Sequence, residues 1–533
     1  MEIWLYLDPN GITQQQWEAV WEECCEVLQR FPVSLATSFY EDKWGDERKV
    51  WTTQLVQRED NEEYLCLEND MVSLAFGGRF RLYRNINHYK ASKKHKDILW
   101  ISEEDIDSFS DQYRIWENGT RGSPYSLAVL ALGILLENRF PANCMMYGFQ
   151  YTEDQIDNMC AWLSGVLGTE VSLPVCNDPE HLLERLMRLY PSADLIVRRF
   201  CKLIQTSNRT AFEFLIEHGH GDALQNELIR QMSHYSSVSQ WGVTGVLHPY
   251  LEATQDVEKV AILVKRVQEQ NPEDEFSLER LLESLVSKGI TINPVHAETV
   301  NEWNKTGEGL VTTMESFNRL FLGMSGLPSR IDFYISSELL LEIFACLEPV
   351  NGAKFKEIIE KETQECLKDY KKMDEVTDNM IEKALKIEED EPSNNLETMN
   401  RWVKRQYLPC EDYILQEVES QIDAFPNPEE ASLEIAKKLG EVMKKIKDDD
   451  EIIKISSSRK KILKSISFFS GDSGFGLRET AWKVIDNEPD LNILMMLNIY
   501  ASLRIREHTS WEWRKYIFET PMLWATMRDM FLK

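Results

Sequence analysis

His218, His220 and Asp222 fall in the run His-Gly-His-Gly-Asp, an H-x-H-x-D spacing. Two imidazoles and a carboxylate so placed can share a metal ion, and some metal-dependent hydrolases use such a donor set. That chemistry needs further ligands and usually follows a buried strand. Here the preceding segment, AFEFLIE at 211–217, carries a helical pattern. The plainer expectation is a turn between helices, with Gly219 or Gly221 ending one and Asp222 capping the next.

Two further runs invite a chemical reading. In SGDSGFG at 470–476, the four residues GDSG resemble the nucleophile loop of chymotrypsin-like proteases, which would make Ser473 the nucleophile. That mechanism also requires a histidine base, an aspartate that orients it and two β-barrels. The neighbourhood reads as helical and no matching histidine segment is evident, so a Gly/Ser turn is expected. The second run reverses the local charge. Arg79, Arg81, Arg84, Lys90, Lys93, Lys94 and Lys96 occur without one acidic residue, with Phe80, Tyr83 and Tyr89 between them. Arg79 and Arg81 share one face of a strand. Arg79, Arg81, Arg84, Lys93 and Lys94 are thus candidates for contact with an anion, a nucleic-acid strand or an acidic partner segment. The competing expectation is pairing with the chain's own carboxylates. A smaller basic run, Ser458-Arg459-Lys460-Lys461, opens an amphipathic helix, and Gly77-Gly78 is no phosphate loop because no GxxxxGK[ST] occurs.

Composition bounds the partners. The 533 residues hold 89 Asp+Glu against 59 Lys+Arg, a formal charge of −30. Such a field repels phosphate backbones and anionic membrane surfaces and draws in a basic protein surface. It also simply keeps a protein in solution. Hydrophobic residues at 43% and charged residues at 28% are those of a folded chain. Fifteen Trp, 22 Phe and 18 Tyr supply material for sizeable cores. The ten cysteines are scattered without a CxxC, which predicts reduced thiols in a cytosol. The start, MEIWLYLDPNG, has no basic segment leading an apolar one, so no secretory signal is expected. The longest apolar run, SLAVLALGILL at 126–136, is shorter than the roughly 20 residues a bilayer span takes.

The elements follow from period and punctuation. EIWLYL at 2–7 reads as a strand, and Thr13 with Gln16 has capping-box spacing before a helix over 14–30 that ends at Phe31-Pro32. Strand-like runs follow at 50–56, 64–68 and around Gly77-Gly78. Ser123-Pro124 opens a buried helix to 138, and Thr152 with Gln155 starts another that runs to Gly168. VSLPV at 171–175 reads as one more strand. Beyond 177, capped amphipathic helices alternate with short breakers. A Gly/Pro-containing interval at 289–330 separates helical blocks, and the block from 337 is rich in Lys and Glu. The Trp and Met residues between Trp511 and Met530 are expected in a core.

The fold class expected is an α+β N-terminal module followed by a mainly α-helical remainder, either a bundle or an irregular helical-repeat-like array. The segments are 1–176, 177–336 and 337–533. The functional expectation is a cytoplasmic, acidic, non-enzymatic interaction protein without cofactor, binding a protein with a basic surface and no membrane. A toxin-neutralising or defence role in bacteria fits the acidity. Two alternatives stand beside it: a metal-dependent hydrolase built on His218, His220 and Asp222, and a nucleic-acid-associated factor using the 79–96 patch, against which the acidity argues.

Overall fold

The computed structural model describes residues 2–43, 46–70, 78–89, 97–107, 114–119, 125–149, 151–292, 333–388, part of 433–449, 450–472, 476–502 and 517–533. The expectations for Lys90, Lys93, Lys94, Lys96, Ser473 and the interval 293–330 lie outside these residues. The fold is an α+β N-terminal region followed by a mostly helical remainder. Contacts divide the chain into two compact units: Met1–Ile101 with Phe109–Asp178 and Asn394–Lys533, and Ser102–Ser108 with Pro179–Ser393.

In the first unit the strands are β1 (Glu2–Leu7), β2 (Leu35–Lys43), β3 (Asp46–Thr52), β4 (Val56–Glu59), β5 (Glu62–Leu67), β6 (Asn69–Asp70), β7 (Phe80–Tyr83), β8 (Arg114–Gly119) and β9 (Cys144–Phe149). They form three small antiparallel sheets, in the orders β8-β1-β9, β3-β2-β6 and β4-β5-β7. The helices among them are α1 (Gln14–Arg30), α2 (Tyr125–Arg139) and α3 (Glu153–Leu167). Helix α1 starts at the expected capping box: the Thr13 hydroxyl accepts from Gln16 N and the Gln16 amide oxygen accepts from Thr13 N. It stops at Phe31, whose extended backbone is what a following proline favours. Its buried stripe, Trp17, Val20, Trp21, Cys24, Val27 and Leu28, faces the core at helical spacing. The Trp17 and Trp21 indoles donate to the carbonyls of Tyr83 and Leu82 at 2.9 and 3.1 Å, which fixes β7 against the helix.

Helix α2 is apolar nearly all round because it is buried nearly all round. It lies so close to the β8-β1-β9 sheet that a Cβ on Gly133 would stand 2.6 Å from Met146 Cγ. Near its end, buried Glu137 accepts from Met146 N at 2.7 Å and Val175 N at 2.6 Å, so two interior amides are satisfied by one carboxylate. This explains a departure from expectation. VSLPV is no strand: Val171 N donates to the Ser164 hydroxyl, Ser172 N to Asn138 and Val175 N to Glu137. Side chains take the donors a sheet partner would need, and a 3₁₀ turn follows at Val175–Asn177.

The second unit begins its helices with α4 (Pro179–Leu189), α5 (Ala193–Leu203), α6 (Asn208–Glu217), α7 (Gly221–Met232), α8 (Trp241–Thr254), α9 (Val257–Gln270) and α10 (Leu278–Ser287). Then come α11 (Ser337–Leu347) and the long α12 (Gly352–Glu388). Ser192, Ser207, Asp256, Ser277 and Ser336 each accept a backbone N–H three residues on, the N-cap bond that starts α5, α6, α9, α10 and α11. Consecutive helices from α4 to α10 pack on one another, and α5 also packs on α7, α6 on α8 and α7 on α9. Helical hairpins are therefore stacked, the packing mode of repeat arrays. The short segment 102–108 is held here: Ile106 is buried, its carbonyl accepts from buried Arg199 at 3.2 Å, and Asp107 pairs with Arg198 and Arg230.

The chain then returns to the first unit through α13 (Asp450–Ile455), α14 (Arg459–Asp472), α15 (Glu479–Asn487), α16 (Leu491–Ser502) and α17 (Met522–Leu532). These pack round Ile466, Trp482, Leu494, Leu497, Trp524 and Phe531, and Val50 of β3 joins the same core. Trp51 N donates to Leu477 O at 3.2 Å. Arg48, only 3% exposed, donates to both oxygens of Asp486 at 3.1 and 3.0 Å and to Glu41 at 3.0 Å, with its guanidinium over Trp482. Trp524 and Met527 are core, as expected, whereas Met522 is 83% exposed. Among the described residues no strand follows β9, and no helix is long and apolar enough to cross a membrane.

Candidate functional site

The residues singled out in the sequence do not converge. His218 closes α6; its backbone N–H and ring Nδ1 both lie within hydrogen-bond reach of the Phe214 carbonyl, the ring contact at 2.8 Å. Gly219 takes φ +80°, a left-handed turn that favours glycine, and so ends the helix. His220, not Asp222, occupies the N-cap of α7, and Asp222 sits in its first turn. Among the described residues no group of three or more His, Cys, Asp or Glu is arranged to hold a metal ion.

The described arginines of the basic run each meet carboxylates. Arg79 bonds buried Glu68, which also accepts from the Ser38 hydroxyl. Arg81 stands 3.8 Å from Glu59 and over the Tyr64 ring. Arg84 reaches Glu63 at 2.7 Å, Glu22 at 3.0 Å and Glu18 at 3.4 Å. Its hydrogen bond holds the Glu63 carboxyl below the usual carboxylate range. The described cysteines are free thiols, and burial raises those of Cys24 and Cys144 well above the ordinary value.

A different cluster is assembled in the helical unit. Helices α8, α10 and α12 border a groove of about 300 Å³. Among the described residues four carboxylates line it: Glu283 from α10 and Glu362, Glu365 and Asp369 from α12. Spacings of three and four residues put the last three on one face of α12. Two of the four are engaged, Glu283 with Arg280 at 2.9 Å and Glu362 with Lys361 at 2.8 Å. Glu365 and Asp369 form no hydrogen bond or ion pair among the described residues. The groove's other cation, Lys288, is half buried, and that burial lowers its pKa. The groove is built firmly. Thr291 and Thr363 hydroxyls meet at 2.9 Å, Lys354 pairs with Glu279 at 2.7 Å, and the Cys366 thiol points to the Ser287 carbonyl.

At the start of α8 stands Trp241, 85% exposed, between two residues that line the groove, Ser239 and Thr244. The turn before it is braced: the Gln240 amide oxygen accepts from Ser236 N and Ser237 N at 2.9 and 3.2 Å. Sequence reasoning missed this site. The segment around Trp241 carries no motif, and the carboxylates of α12 sit in a Lys/Glu run whose plain reading is a solvated face. Only the packing of α12 on α10 turns that face into a groove. Comparison of the chain with protein-family models, with curated proteins and with solved structures finds no match.

Proposed function

We propose that the protein is a non-enzymatic, cytosolic binding protein whose helical unit receives a basic protein segment in the α8–α10–α12 groove. The observation that carries this reading is an exposed tryptophan, flanked in sequence by the lining residues Ser239 and Thr244, with two groove carboxylates, Glu365 and Asp369, that form no hydrogen bond or ion pair among the described residues. Tryptophan is enriched among residues that dominate binding energy, and its ring face attracts lysine and arginine. Carboxylates flanking such a ring complete a receptor for a cationic side chain. The net charge of −30 steers a basic partner toward it from a distance.

The test is a titration of the full chain with a fluorescein-labelled peptide rich in lysine and arginine, set against its glutamate counterpart. The basic peptide binds and the acidic one does not. Trp241→Ala weakens binding by about tenfold or more, and Glu365→Gln with Asp369→Asn weakens it comparably. Equal binding by these variants and the natural chain removes the groove from the account.

A further inference from the structure

A second cavity, in the first unit, has the opposite chemistry. It encloses about 410 Å³, within the usual range for small-molecule sites. Among the described residues its lining includes Arg79, Arg81 and Arg114, and no aspartate or glutamate. In a chain this acidic, three guanidinium groups with no carboxylate among the described lining residues are a marked local exception. Its other described polar and aromatic wall residues are Tyr83, His88, Tyr89 and Trp116.

The backbone explains how these side chains meet. Along β7, Phe80 and Leu82 are fully buried in the core. Strand alternation therefore turns Arg81 and Tyr83 the other way, with Arg79 just before them in the same phase. On β8, the register with β1 shifts between Leu5 and Tyr6: Trp116 opposes Leu5, Arg114 opposes Tyr6, and Ile115 is the extra residue of a bulge. Strict alternation would turn Ile115 away from whatever Arg114 and Trp116 face. With the bulge, all three border the cavity. Bulges re-aim side chains in this way and are over-represented beside functional sites.

The walls are held in place before any ligand arrives. Tyr83 and His88 rings stack at 3.4 Å, nearly parallel. Tyr83 N donates to the Tyr89 hydroxyl at 2.9 Å, and Trp17 grips the Tyr83 carbonyl. Trp116 packs edge-on against Phe80. Arg79 is oriented by Glu68. Arg81 stands over the Tyr64 ring with its guanidinium 3.8 Å from Glu59, and its Nε is buried with no hydrogen-bond partner among the described residues.

We infer that this cavity binds a nucleoside monophosphate, the phosphate against Arg79, Arg81 and Arg114 and the base along the Tyr83–His88 stack and Trp116. Guanidinium groups suit phosphate because their planar donors match its oxygens. Aromatic faces suit a base because stacking tolerates any π-system. The site is independent of the acidic groove and stands or falls separately from it.

Calorimetric titration of the full chain with AMP, GMP, CMP and UMP, with inorganic phosphate, and with adenosine tests the inference. At least one nucleotide binds one-to-one, and phosphate and adenosine each bind at least about tenfold more weakly. Arg81→Gln and Arg114→Gln each weaken the nucleotide by about tenfold. His88→Ala, on an exposed turn, weakens it without unfolding the chain. Arg58→Gln, an exposed arginine outside the cavity, leaves it unchanged; circular dichroism confirms that all four variants are folded. Absence of nucleotide binding, equal binding of phosphate and nucleotide, or an equal effect of Arg58→Gln and Arg81→Gln overturns the assignment.

Discussion

Asp486→Ala should loosen the union of the β2–β3 hairpin with the C-terminal helices, and the structure sets the size of the effect. Arg48 is 3% exposed, and its two bonds to Asp486 measure 3.1 and 3.0 Å. Removing one partner of a fully buried ion pair costs about 3–5 kcal/mol, mostly from stranding the other charge. Two features reduce that here: the Asp486 side chain is 21% exposed, and Glu41 remains at 3.0 Å to take the guanidinium. The expected loss is therefore about 2–3 kcal/mol. Arg48→Leu removes the buried charge with its bonds and keeps an apolar stem over Trp482, so it should cost less, about 1 kcal/mol. A two-unit chain need not unfold in one step, so global melting is the wrong readout. Hydrogen exchange read by mass spectrometry in peptides from β2–β3 and α15 isolates the local opening free energy. Both regions should exchange faster together in Asp486→Ala. Unchanged exchange in β2–β3, or a larger cost for Arg48→Leu than for Asp486→Ala, would refute the reasoning.

Three further outcomes are expected. Glu137→Ala strands the buried amides of Met146 and Val175, at about 1–3 kcal/mol each, and hydrogen exchange at β9 and 175–177 should accelerate. Gly133→Ala drives a Cβ into Met146 Cγ and should destabilise the first unit by about 1–3 kcal/mol; exchange in α2 reads it, and Met146→Ala should restore tolerance. At acid pH the Asp107 carboxyl matters. The Arg198 hydrogen bond holds its pKa below the usual value, so the folded chain binds fewer protons than the unfolded one near pH 4. Its contribution is present above about pH 4 and fades as pH falls through the lower folded value. The acid limb of a thermal-midpoint profile should accordingly be shallower in Asp107→Asn, and an unchanged limb counts against the pair.

Local punctuation in the sequence was a good guide wherever one residue type settles one bond. Thr13 with Gln16 and Thr152 with Gln155 both form the capping boxes their spacing predicts. The uniform apolarity of 126–136 marks a helix buried on every side. Strands were harder to see. β2, LATSFYEDK, ends in charged residues that mask its alternation. VSLPV has strand composition, yet Ser164, Asn138 and Glu137 claim its amides, a competition visible only in three dimensions. The return of Asp486 to Arg48, 438 residues away, leaves no local trace. Candidate sites follow the same rule. His218, His220 and Asp222 attract notice by type, yet their surroundings are a helix end and a helix start. Trp241 and Asp369 look ordinary until α8, α10 and α12 are stacked.

The most direct test of the binding account is the rate at which the basic peptide associates, followed by stopped flow as salt is varied. The Debye length is about 30 Å at 0.01 M salt and about 3 Å at 1 M. If the acidic surface steers the encounter and the groove receives the peptide, the association rate falls steeply over this range while dissociation changes little. Arg81→Glu, in the other unit, leaves both rates nearly unchanged, and Glu365→Gln with Asp369→Asn speeds dissociation. An association rate indifferent to salt, together with loss of binding in Arg81→Glu, would contradict the account and place recognition on the positive cavity instead.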